Sequence, residues 1–124
     1  MTDFYRLPEF DHDMKKLQKD FRSLEDDLAN FSIALIPRIP ADLHGIVRIS
    51  NLGNDVSDPI YKVRKFRCQS LKGRGANSCI RLIYAYDPAS DKVTFIEIYF
   101  KGKQENEDRE RILRFMKSGK IESS

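Results

Sequence analysis

Residues 59–86 read PIYKVRKFRCQSLKGRGANSCIRLIYAY. Two runs rich in β-branched and aromatic side chains flank a polar centre that contains Gly73 and Gly75. That pattern predicts a β-hairpin, with Tyr61 to Cys68 as its first strand and Cys79 to Asp87 as its second. The stretch holds no acidic residue and carries Lys62, Arg64, Lys65, Arg67, Lys72, Arg74 and Arg81, a local charge of +7. Residues 1–30 hold eight acids and five bases, so the small net charge of +3 conceals a separation of charge along the chain. A cationic hairpin of this density suits a polyanion or an acidic partner protein.

Alternation in the first strand is imperfect. Tyr61 and Val63 point one way, Lys62 and Arg64 the other, and then Lys65 falls on the apolar side. One extra residue near Arg64–Lys65, a β-bulge, would return Phe66 to the core. In the second strand Arg81, Ile83 and Ala85 share one side, and Leu82, Tyr84 and Tyr86 the other. The loop 69–78, QSLKGRGANS, lacks the phosphate-loop spacing with its Lys-Ser/Thr ending and is therefore no nucleotide-binding loop of that kind.

The flanks read as support. Residues 3–7 suit a brief strand, and Pro8 suits a first helical turn, where its missing N–H costs nothing. Phe10, Met14, Leu17 and Phe21 recur at helical spacing, as do Leu24, Leu28, Phe31 and Leu35 behind an N-cap at Ser23. The result is a helical hairpin over 8–36, closed by Pro37 and Pro40. Residues 41–58 read as a structured connection with a short strand or helical turn near 46–50; His44 within it reads as a surface or core-edge histidine. Asp87 to Asp91 is a turn by composition. Residues 92–101, KVTFIEIYFK, give the clearest strand, with Thr94, Ile96, Ile98 and Phe100 as its expected core side. Gly102 breaks it. A last helix begins near Asn106, acids first and Arg111, Arg114, Lys117 and Lys120 last, as the helix dipole prefers.

A chain of 124 residues with 40 % hydrophobic and 33 % charged residues is expected to fold as one domain over 1–124. The expected architecture is α+β. An N-terminal strand and helical hairpin pack on one face of an antiparallel β-meander, and a C-terminal helix follows. The other face is left open and collects Lys62, Arg64, Arg81, Glu97, Tyr99 and Lys101. No 18-residue apolar run is present, so no membrane span is expected. The opening MTDFYRLPEFDHD has no basic segment leading into an apolar one, so a cytoplasmic location is expected rather than secretion. Cys68 and Cys79 then read as reduced thiols, too few for a zinc site or a disulfide framework.

No His/Cys/carboxylate spacing suggests a metal site or a cofactor, and no Ser-His-Asp or Cys-His set stands out. What remains is Arg and Lys with a few tyrosines. Such a set can cleave RNA by turning the 2′-OH onto its own phosphate. The reaction needs a base, an acid and positive charge on the crowded phosphorane. Arg clamps phosphate through its bidentate fork, and a Lys serves as base if neighbouring cations depress its pKa.

The segments Tyr61-Lys62-Val63-Arg64, Ile80-Arg81-Leu82-Ile83-Tyr84 and Phe95 to Lys103, in this order after DFYRLPEF and a helical hairpin, resemble the RelE/ParE superfamily of bacterial and archaeal toxins. The resemblance implies a RelE-like fold and a toxin partnered by a small antitoxin. RelE-like members are ribosome-dependent mRNA endonucleases; ParE-like members poison DNA gyrase. On the nuclease reading, Lys62 is base or phosphate contact, Arg64 and Arg81 are transition-state clamps, and Lys101 or Tyr99 is the proton donor. Lys65, Arg67, Lys72, Arg74 and Lys103 complete the RNA contact. RelE-like enzymes often place a Tyr or His just beyond the last strand, and QENEDRERILRF has neither. The partners implied are a cognate antitoxin, the ribosome and mRNA, in a homodimer or a toxin–antitoxin hetero-oligomer. A gyrase inhibitor and a non-catalytic RNA- or ribosome-binding module are the alternatives.

Overall fold

The structure is a computed structural model that describes residues 2–50, 58–70 and 79–123, the last six of these by backbone alone. The chain runs β1 (Asp3–Arg6), α1 (Pro8–Gln18), α2 (Leu24–Leu35), a 3₁₀ turn (Ile36–Arg38), β2 (Ile46–Arg48), β3 (Ile60–Val63), β4 (Ile80–Asp87), β5 (Lys92–Phe100) and α3 (Arg109–Ser123). The class is α+β. The strands form one five-stranded sheet in the order β1-β5-β4-β3-β2. The expected meander is its centre, but β1 adds to it in parallel beside β5 and β2 antiparallel beside β3. No helix among the described residues is long and apolar enough to cross a membrane.

The helical hairpin covers one face of the sheet. Phe10 and Met14 of α1 and Leu24, Leu28 and Leu35 of α2 are buried against Val63, Leu82, Tyr84, Phe95 and Ile98. Phe10 stacks on Phe95 with centroids 5.4 Å apart, and Tyr61 stacks on Tyr84 at 5.3 Å. The Tyr84 hydroxyl donates to the Pro40 carbonyl at 2.6 Å, and burial pushes its pKa well up.

The opposite face is not open. Ile112 and Met116 of α3 pack onto Ile60, Ile83, Ala85, Ile96 and Tyr99. Burying two such side chains stabilises the docked helix by about 1.5–3 kcal/mol each. Glu97 and Tyr99, expected on an exposed surface, are buried beneath this layer.

The expected faces of β5 also change. Ile83 pairs with Glu97 while Tyr84 pairs with Phe95, so β5 carries an extra residue at that point. The bulge reverses the alternation. Val93 and Phe95 share the hairpin side with Ile98, and Ile96 joins Tyr99 under α3. By contrast, β3 ends at Val63 and the chain bends at Arg64–Lys65. Phe66 does reach the core, 1 % exposed, through that bend and not through a bulge within a longer strand.

The bulge is clasped from both sides. Strand β1 pairs with β5 only as far as Phe95. Beyond it, Asp13 of α1 accepts the Ile98 N–H at 3.3 Å, and Arg111 of α3 donates to the Ile96 carbonyl at 3.0 Å. Asp13 and Arg111 then pair with each other at 2.6 Å. Two side chains from helices on opposite faces thus take the backbone groups that a neighbouring strand would have taken.

Ser23 stands at the N-cap of α2 but does not cap it. Its hydroxyl donates to Asp27 at 2.7 Å and accepts the Ser70 N–H at 2.8 Å, while Asp27 accepts the Gln69 N–H at 3.2 Å. These bonds fasten the chain after Phe66 to the start of α2. Asp108 caps α3 by accepting the Arg111 N–H at 3.1 Å. The Asp87 carboxylate accepts from Ala89 N–H and Ser90 hydroxyl, which shapes the β4–β5 turn, and Asp91 ends it with φ 51°. Cys68 and Cys79 form no disulfide, and burial raises the Cys68 thiol pKa.

Candidate nucleic-acid interface

Register decides which cations meet. Val47 lies opposite Lys62, Lys62 opposite Ile83, and Arg81 opposite Tyr99. Ile83 and Tyr99 belong to the α3 side, so Lys62 and Arg81 stand on that side at neighbouring positions of adjacent strands. The four residues Lys62, Arg64, Arg81 and Tyr99 therefore share one corner of the sheet, and they divide into two groups.

The inner group is enclosed. The Lys62 ammonium donates to the Glu107 carboxylate at 2.9 Å, with side-chain exposures of 18 % and 9 %. Burial alone would lower the Lys62 pKa, but the hydrogen bond to Glu107, the neighbouring Tyr99 and the Glu107 charge together outweigh it, and the pKa is raised. Burial likewise opposes Glu107, yet Lys62 holds its pKa below the usual carboxylate value. This differs from the sequence expectation of a lysine depressed by surrounding cations. The local field at Lys62 is set by Glu107, from the loop before α3, together with the neighbouring Tyr99. The Tyr99 hydroxyl is buried and makes no hydrogen bond of good geometry with the described residues. Burial raises its pKa, and the neighbouring Lys62 offsets part of that rise. Glu97 completes the inner layer. It accepts the Asp108 N–H at 2.8 Å and the Gln104 amide at 2.7 Å, and its pKa is raised by burial.

The outer group lines a cleft of about 570 Å³ formed by His44, Gly45, Ile46, Val47, Arg64, Lys65 and Arg81. The Arg64 N–H bonds the Gly45 carbonyl at 2.7 Å, which fixes the turn at His44 against the end of β3. Gly45 is required there. Its φ is +88°, and a Cβ would lie 2.5 Å from the Lys65 Cβ, which packs over it. Arg81 donates to its neighbour's carbonyl, that of Ile80, at 3.3 Å. A second groove of about 390 Å³ lies on the hairpin side, lined by Asp27, Phe31, Leu43 and His44 with Lys65, Arg67 and Gln69 at its rim.

The remaining expected contacts are scattered. Lys101 is exposed, its backbone N–H bonded to Cys79 at 2.7 Å. Lys103 is exposed and turns toward Asp20 of the hairpin, 3.9 Å away. Arg67 belongs to the hairpin-side groove. Lys72 and Arg74 lie outside the described residues. Glu107, the strongest partner of Lys62, went unread in the sequence because the acids of 105–110 look like an ordinary helix start. Among the described residues, no three His, Cys, Asp or Glu side chains gather as a ligand set for a metal.

Chemically, the outer cleft brings two arginines and a lysine onto one surface. Behind it, the inner group holds the Lys62 ammonium in an ion pair with Glu107. Compared with protein-family models, with curated proteins and with solved structures, the chain matches none.

Proposed function

We propose that this chain is a RelE-like toxin of a toxin–antitoxin module that cleaves mRNA on the ribosome, without a metal, by 2′-OH attack on the adjacent phosphate. The observation that carries this reading is the cleft in which Arg64 and Arg81, distant in sequence, line one surface with Lys65. Two guanidinium forks in one cleft suit a phosphate whose charge grows in the transition state. The order of elements supports it as well: a strand and helical hairpin, an antiparallel strand series, then a C-terminal helix.

On this reading Arg64 and Arg81 clamp the scissile phosphate. Lys62 does not act as a base, because its ion pair with Glu107 keeps it protonated. The Tyr99 hydroxyl, enclosed beneath α3, does not meet RNA in this arrangement. Lys101, exposed at the end of β5, adds phosphate contact. The exposed cations Arg67 and Lys103 extend the field available to ribosomal RNA or to an acidic antitoxin.

The test is induction of the protein in a bacterial host. Wild type arrests growth and cuts translated transcripts, and Arg81→Ala does neither while folding normally. An Arg81→Ala protein that remains fully toxic would show that the site is misplaced. Arrest with broken DNA and intact transcripts would support a gyrase inhibitor instead. RNA binding with a steep salt dependence and intact transcripts would support a non-catalytic module.

A further inference from the structure

The cleft that holds Arg64 and Arg81 has no general base among the residues assigned to it by sequence. Arginine keeps its proton under all ordinary conditions, and a lysine ordinarily keeps its own to above pH 10. Lys62 is committed to Glu107, and Tyr99 is enclosed. Among the described residues, one other ionisable side chain lines the cleft beside Arg64, Lys65 and Arg81, namely His44. It is exposed, and its place is built. The left-handed Gly45 follows it, and the Gly45 carbonyl is bonded to the Arg64 N–H at 2.7 Å. The turn is further closed by the Ile46 N–H on the Leu43 carbonyl at 3.2 Å. His44 is thus seated next to the phosphate clamp by two backbone bonds, on a turn and not on a free loop end. An imidazole is also the side chain suited to take and return a proton near neutral pH.

We infer that His44 is the general base of the cleavage reaction, taking the proton of the 2′-OH while Arg64 and Arg81 hold the phosphate. The inference rests on the nuclease reading above. In the step, the 2′-oxygen bonds to phosphorus as its proton passes to the neutral imidazole. The P–O5′ bond breaks, and the departing 5′-oxygen takes a proton from water. The imidazolium returns its proton to the hydroxide so formed. The products are a 2′,3′-cyclic phosphate and a 5′-hydroxyl. Among the described residues, the charged groups that line the same walls as His44 are Arg64, Lys65 and Arg81 in the cleft, with Asp27 and Arg67 in the adjoining groove.

The experiment uses the full chain and ribosomes programmed with a short synthetic mRNA, comparing wild type with His44→Gln, His44→Ala and Arg81→Ala. Circular dichroism and ribosome co-sedimentation check folding and docking of each. His44→Gln and His44→Ala are expected to dock as wild type does and to lose about 10²–10⁴-fold in single-turnover cleavage rate. The pH profile of the wild-type rate is expected to carry a rising limb that His44→Gln lacks. Products ending in a 2′,3′-cyclic phosphate support the step as written. A His44→Gln protein that cleaves within threefold of wild type, or that keeps the same pH limb, overturns the assignment while leaving the nuclease reading intact. If wild type docks and cuts nothing, both fall. If Arg81→Ala alone abolishes cleavage, the clamp stands and His44 is not the base.

Discussion

Replacing Arg111 with alanine tests how the two helical layers are joined across the sheet. Arg111 and Asp13 have side-chain exposures of 14 % and 16 %, so their attraction is only partly screened. The substitution removes the pair at 2.6 Å, a second contact at 3.3 Å and the bond to the Ile96 carbonyl at 3.0 Å. Among the described residues, Asp13 keeps only the Ile98 N–H, and the Ile96 carbonyl at the bulge loses the Arg111 donor. Truncating one partner of a largely buried, hydrogen-bonded pair costs about 3 kcal/mol. In a chain of this size that lowers the melting temperature by about 9–15 °C. The assay is urea unfolding followed by circular dichroism on wild type, Arg111→Ala, Asp13→Ala and the double variant. A coupling energy of about 1.5 kcal/mol or more between the two positions is expected. Additive effects, or a loss under about 0.5 kcal/mol for Arg111→Ala, would refute the clasp as a stabilising element.

Other outcomes follow from single contacts. Glu107→Gln removes the carboxylate on Lys62 and should cost about 1–3 kcal/mol at neutral pH. Because the Glu107 pKa is lowered in the folded state, its contribution is present above the ordinary carboxylate value and is lost as pH falls through the folded pKa. Stability measured from pH 7 down to pH 3 should therefore fall less steeply in the variant than in wild type. Phe66→Ala, at a fully buried position whose ring lies 6.0 Å from that of Phe31, should cost about 3–5 kcal/mol by chemical unfolding. Arg64→Ala should leave the fold unchanged and reduce the salt slope of single-stranded RNA binding by about 0.7 in a filter-binding titration. An unchanged slope would place Arg64 outside the contact.

Much of the frame was legible in the residues. The helical stripes of 8–36 follow from periodicity, and the strands at 80–87 and 92–100 from their β-branched and aromatic content. The turn at 87–91 follows from an Asp side chain that bonds its own neighbours. The covering of the second sheet face was harder to read. Strand β5 is buried almost throughout, so an apolar run such as VTFIEIYF carries no alternation from which to assign sides. Its one acid, Glu97, resembled a solvent marker and is instead bonded to the start of α3. The bulge at Ile96–Glu97 depends on Asp13 and Arg111 meeting from 98 positions apart, which no local pattern encodes. The candidate site divides in the same way. The cationic strand positions were visible as composition, and their shared corner follows once the hairpin register is known. Glu107 and His44 enter through a loop and a turn, where spacing carries no signal and only tertiary placement brings a side chain to the cleft.

The central claim is that the Arg64–Arg81 cleft cuts mRNA during translation. Mapping the 5′ ends of cellular transcripts by primer extension, shortly after induction of wild type and of Arg81→Ala at equal protein levels, addresses it most directly. The account predicts new ends within translated reading frames for wild type and none for the variant. Identical transcript ends with and without wild-type induction, in cells whose growth has stopped, would contradict it.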